Sequence, residues 1–86
     1  MHKKFEELDN LLINHYECFK TGQFWLETFT DEYIHVNTFS YTTASPRLYV
    51  WIGNFIKKWA LKNKIPVRFV FVDSLCWDMT KVTSAT

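Results

Sequence analysis

Between Leu48 and Trp59 the apolar positions recur at helical spacing. Leu48, Trp51, Ile52, Phe55, Ile56 and Trp59 fall on one face, while Asn54, Lys57, Lys58 and Lys62 fall mainly away from it. Ser45 and Pro46 mark the start of the predicted helix. A Ser side chain accepts from the unpaired N–H groups of a first turn, and Pro has no N–H to leave unpaired. Asn63 and Lys64 suit the end, where a cation meets the negative pole of the helix, and Pro66 forbids continuation. Trp51, Phe55 and Trp59 are therefore expected to hold this helix to the core, with Lys57, Lys58 and Lys62 in solvent. Val67 to Val72 follows as a β-rich run, apolar on both faces, which reads as an interior strand.

Upstream, Phe5, Leu8, Leu11, Leu12, His15 and Phe19 form a second stripe among polar positions, so one amphipathic helix is predicted from His2 or Lys3 to about Lys20. Thr21 and Gly22 end it. Gln23 to Phe29 fits two periods. Phe24, Leu26 and Thr28 alternate as in a strand, whereas Phe24, Trp25 and Thr28 also suit a helix; the strand is preferred. Thr30, Asp31 and Glu32 supply a turn before Tyr33 to Tyr41, a stronger strand signal rich in β-branched and aromatic residues. Its alternation puts Tyr33, His35, Asn37, Phe39 and Tyr41 on one face and Ile34, Val36, Thr38 and Ser40 on the other, and only one of these can be core. After Val72, Asp73 and Ser74 suit a turn, Trp77 is expected to close over the core, and Met79 to Val82 is a weak apolar run.

These elements predict an α+β fold of order α-β-β-α-β, with a possible fourth strand. Two helices packed on one face of a small three- or four-stranded sheet is the economical arrangement. The strands on either side of the second helix form a potential βαβ crossover. No linker or repeat divides the 86 residues, so one domain is expected, fraying from about residue 83. If the first two strands form a hairpin, Val67 to Val72 is left with an open edge. Either Met79 to Val82 folds back to cover it, or a second copy of the chain adds the same strand; the homodimer is preferred, because Asp78 and the polar tail make a poor strand.

Charge changes this picture more than composition does. Up to Glu32 the chain carries Glu6, Glu7, Asp9, Glu17, Glu27, Asp31 and Glu32 against Lys3, Lys4 and Lys20. From Tyr33 to Val72 there is no acid, and Arg47, Lys57, Lys58, Lys62, Lys64 and Arg68 stand unopposed. Aromatic residues make up 19% of the chain, more rings than a core of this size encloses comfortably, which makes some of them candidate interface anchors. Two cysteines, Cys18 and Cys76, fall short of a disulfide framework and read as reduced thiols. With no apolar signal core and no run approaching the roughly 18 apolar residues of a membrane span, a soluble cytoplasmic protein is expected, with no membrane partner. Lys outnumbers Arg eight to two, a usage that AT-rich genomes produce and that suits a phage or an AT-rich microbe.

Candidate chemistry is sparse. His15 and Cys18 are three apart on a predicted helix, a spacing that presents two ligands to zinc, but the remaining ligands are not identifiable. Cys76 with a histidine would be a nucleophile pair, yet there is no nucleophile elbow, and with only Gly22 and Gly53 no loop can cradle phosphate. No catalytic residue, metal or cofactor is assigned. The basic tract Lys57, Lys58, Lys62, Lys64 and Arg68 is the most informative surface feature, and beside Tyr41, Tyr49 or Trp77 it would suit either a protein partner or a nucleic-acid strand that stacks its bases. The sequence lacks an aromatic RNA-recognition strand motif and a GxxG clamp, and its pI near 7.8 is low for a dedicated nucleic-acid domain. The expectation is a non-catalytic macromolecule-binding protein, of the kind a phage or mobile element uses as an inhibitor or regulator, acting through protein contacts. Binding of RNA or single-stranded nucleic acid through the basic tract is the alternative.

Overall fold

The computed structural model of the chain describes residues 1–39, 45–73 and 75–79. Its elements are α1 (Phe5–His15), α2 (Glu17–Lys20), β1 (Phe24–Phe29), β2 (Tyr33–Thr38), α3 (Pro46–Lys62), β3 (Phe69–Val72) and β4 (Leu75–Asp78). The fold is α+β, with the helices on one face of a four-stranded sheet of order β1-β2-β3-β4. β1 and β2 form an antiparallel hairpin, β2 and β3 run parallel on either side of α3, and β4 returns antiparallel to β3. Among the described residues, no helix is long and apolar enough to cross a membrane.

The predicted first helix is two helices. At Tyr16 the backbone turns extended, with φ −123° and ψ 127°, so α1 ends and α2 restarts at Glu17. The break lets neighbouring rings serve different elements. Tyr16 donates its hydroxyl to the Trp51 carbonyl at 3.1 Å and meets the Phe55 ring edge-on, while Phe19 enters the core against Phe24. Gly22, at φ +82°, then turns the chain into β1, a conformation that costs glycine little.

β1 carries the strand period, with one irregularity. Leu26 faces Val36 and Thr28 faces His35, so Glu27 is an extra residue and the alternation changes phase there. Phe29, rather than Thr28, is consequently the buried residue after Leu26. Thr30 holds the turn to β2, its hydroxyl accepting from the N–H groups of Glu32 and Tyr33. In β2 the core face is Ile34, Val36 and Thr38. Ser40 to Ala44, including Tyr41, lie outside the described residues.

α3 begins and ends as its sequence predicts. Ser45 accepts from the Arg47 N–H, Pro46 occupies the first position, and Asn63 returns its side-chain amide to the Trp59 carbonyl at 2.8 Å. Lys64 adopts the left-handed conformation at φ +56°, which brings the Ile65 N–H to the Ala60 carbonyl and closes the helix. Its buried face is Ile52, Gly53, Ile56 and Ala60, rotated by roughly a quarter turn from the expected stripe at 100° per residue. Trp51 is 58% exposed and takes no part in the core, while Phe55 and Trp59 pack along its margin. The reason is size. Gly53 and Ala60 let the helix approach the sheet closely, and the Trp77 ring of β4 lies against Gly53 so tightly that a Cβ there would overlap it.

β3 is shorter than expected: the Val67 N–H turns to the Ile65 carbonyl, and pairing with β2 begins where the Phe69 N–H reaches the Glu32 carbonyl, which also accepts from Arg68. It is interior, as its two apolar faces imply, but its second edge is covered by this chain. Asp73, at φ +55°, permits a two-residue return, and Leu75 to Asp78 pairs along β3 with Val72 facing Leu75 and Phe69 facing Asp78. The covering strand therefore precedes the Met79 to Val82 run, of which only Met79 is described. The edge through which a second copy was expected to add is occupied, which removes the basis for a homodimer through Val67 to Val72.

Candidate functional site

Alternation along the strands decides what the sheet shows on the side away from the helices. With Ile34, Val36, Val70 and Val72 turned to the core, Tyr33, His35, Phe69 and Phe71 turn outward and are each half-buried. The parallel register sets Tyr33 beside Phe69 and His35 beside Phe71. The Phe71 ring meets Tyr33 edge-on at 5.8 Å, meets His35 edge-on at 6.3 Å and stacks on Phe69 at 5.8 Å. Such edge-to-face and offset pairs hold rings in fixed orientations and so present a preformed apolar surface. Towards β1, Trp25 sits opposite Asn37 and meets Phe39 edge-on at 5.4 Å. Phe39 is 45% exposed.

Within the four strands the full charges are of one sign. None of the four strands contains a lysine or an arginine, and their full charges are Glu27 and Asp78. The Trp25 indole N–H donates to the Glu27 carboxylate at 3.2 Å. Cys76 faces Phe71 across the β3–β4 ladder and is exposed.

The basic tract belongs to the other layer. Lys58 and Lys62 are exposed on the outer side of α3, Lys57 is half-buried, Lys64 is exposed at the helix end, and Arg68 is exposed at the approach to β3. Of the rings expected beside this tract, Tyr49 and Trp77 are not there, and Tyr41 lies outside the described residues. Tyr49 turns inward, edge-on to Phe24 at 5.5 Å, and burial followed by the charge of Asp73 raises its phenol above the ordinary value. Trp77 packs under α3 against Gly53. The ring that does accompany the lysines is Trp51, which lines a shallow concavity with Tyr16, Asn54, Phe55 and Lys58. Its position follows from the rotation of α3.

Two further candidates are separated by the fold. The break at Tyr16 lies between His15 and Cys18; His15 packs on Tyr16 and Phe55, and Cys18 is half-buried with its thiol raised by burial. Among the described residues, no three His, Cys, Asp or Glu side chains come together in a way that would hold a metal ion. The aromatic sheet face was within reach of sequence reasoning. The alternation of Tyr33 to Phe39 and of Phe69 to Phe71 is visible in the chain, and what was missing was the decision that the aliphatic face is the buried one. No family model matches the chain, and no curated protein or solved structure is significantly similar to it.

Proposed function

We propose that this chain is a non-catalytic binding protein that receives another protein on the open face of its sheet, in the manner of a small inhibitor or regulator. The observation that carries this reading is the cluster of Tyr33, His35, Phe69 and Phe71, rings held against one another on the side that no described helix covers. Aromatic anchors with few rotatable bonds are what protein interfaces concentrate at their centres. Nucleic acid fits this face poorly, since a phosphate backbone laid across the strands would meet the exposed Glu27 carboxylate and no lysine or arginine of β1 to β4. The two free cysteines suit a reducing compartment such as the cytoplasm.

A second reading has its own observation. Trp51, exposed beside Lys58 with Lys62 one turn further on, would let α3 stack a base and neutralise phosphates. The two readings use different layers and one experiment separates them. A photo-crosslinking side chain replaces Phe71 in one variant and Lys58 in another, and both are expressed in the source cell. The Phe71 position is expected to capture a protein. Co-purification of that protein is then expected to be lost in Tyr33→Ala/Phe71→Ala and kept in Lys58→Glu/Lys62→Glu. The reverse pattern, with nucleic acid captured at position 58, would transfer the function to the helix layer.

A further inference from the structure

We infer that the partner's contact surface is cationic, and that an arginine of that partner seats in the corner formed by Trp25, Glu27 and Phe39. The inference rests on the reading of the sheet face as a protein-docking surface and adds the chemistry of its occupant. Three observations meet at this corner. Glu27 is the residue expelled by the β1 irregularity, exposed and set beside the indole through the Trp25 N–H at 3.2 Å. That bond engages one carboxylate oxygen and leaves further acceptor capacity on the group. Phe39 stands edge-on to Trp25 at 5.4 Å and gives the corner a second ring wall.

The surrounding charge selects the occupant. With no lysine or arginine in any strand, the sheet supplies no cation of its own to Glu27. Arg68 lies at the far end of β2, where its N–H bonds the Glu32 carbonyl, whereas Trp25 pairs with Asn37 near the other end. A cation from outside would find both an aromatic face and a carboxylate here, the pairing that recognises a guanidinium: its plane lies on the ring while its N–H groups reach the oxygens. Arginine fits better than lysine, because a compact ammonium offers neither the plane nor the two parallel donors. An anionic partner would meet the exposed Glu27 carboxylate across a largely apolar surface and be repelled.

The test uses the whole chain and a short peptide of alternating arginine and glycine, with lysine and glutamate counterparts and a ten-residue thymidine oligonucleotide as controls. Nuclear magnetic resonance follows the Trp25 indole N–H and the backbone amides of Glu27 and Phe39 during titration. The arginine peptide is expected to shift these signals saturably, the lysine peptide more weakly, and the glutamate peptide not at all. Glu27→Gln, an exposed change that keeps an acceptor for the indole, is expected to weaken the arginine peptide about tenfold. Lys58→Glu/Lys62→Glu is expected to leave it unaltered. No saturable shift at millimolar arginine peptide, or equal affinity in Glu27→Gln, would overturn the inference. If a protein is still captured at position 71 in that case, docking on the sheet stands and only the arginine corner falls. Shifts of the same signals by the oligonucleotide would instead overturn the docking reading itself.

Discussion

Ile52 is fully buried while Trp51, next to it in the chain, is 58% exposed, and this difference fixes which way α3 faces. Ile52→Ala removes packed methyl groups from beneath the helix and is expected to cost about 2–5 kcal/mol, the range for truncating a buried aliphatic side chain. Trp51→Ala keeps the backbone carbonyl that accepts from Tyr16 and is expected to change stability by only about 0.5 kcal/mol. Denaturant unfolding of the two variants checks the pair, and a larger loss in Trp51→Ala would turn the helix over. Asp9 makes a prediction in pH. Burial, and then the charge of Glu6 one turn earlier, raise its carboxyl above the ordinary value. A raised carboxyl favours the protonated form in the fold. Its stabilising contribution is thus full below the ordinary carboxylate range and is lost as pH rises through the raised value. Asp9→Asn is therefore expected to melt higher than the parent at neutral pH, with the gap closing under acid. A gap that widened on acidification would show the carboxylate to be stabilised.

The elements that were legible in the chain are those whose signals are local. Ser45, Pro46, Asn63 and Pro66 delimit α3 through backbone hydrogen bonds made within a turn or two, and the caps form as those residues dictate. The fold class and the strand at β1 followed from periodicity in the same way. What the chain concealed depends on contacts distant in sequence. The break at Tyr16 has no Pro or Gly to announce it and is tied to Trp51, thirty-five residues away. β4 has little β-branched content and exists because Asp73 turns the chain straight back on β3. The rotation of α3 escaped because a stripe read by size discounts Gly53 and Ala60, the residues that the sheet admits. Trp77, expected both to close over the core and to offer a ring to a partner, packs under α3 against Gly53. Gly53 and Trp77 are a coupled pair, and a double-mutant cycle measures the coupling. Gly53→Ala alone is expected to destabilise by about 1–3 kcal/mol, because the added methyl displaces the ring. In a Trp77→Ala background the same change has room, and is expected to stabilise by up to about 1 kcal/mol through the better helix propensity of alanine. Additive effects would mean that the ring does not rest on Gly53.

Across the whole molecule the two layers divide the chemistry. The helices and their flanking segments carry all the described lysines, and the strands carry aromatic rings with two carboxylates. That division is why opposite-face variants are informative, since charge reversal on α3 leaves the sheet untouched. It also bears on how the sheet is completed. Among the described strands β3 is interior and β1 and β4 are the outer ones, so self-association through β3 would require β4 to be displaced. Displacing β4 would strip the β3 ladder and withdraw Trp77 from Gly53 at once, exposing apolar surface on both sides of the loss. The β3 amides should therefore be protected by this chain's own strands. Hydrogen exchange at Phe69 to Val72 is expected to be among the slowest in the protein and to keep the same rate from micromolar to millimolar concentration, because intramolecular pairing does not depend on dilution. Leu75→Pro, which removes from an exposed position of β4 an N–H on the side that faces β3, the side from which the Met79 N–H bonds the Arg68 carbonyl, is expected to accelerate exchange along β3 at every concentration. Protection that grew with concentration in the unaltered chain would mean that a second copy supplies the outer strand.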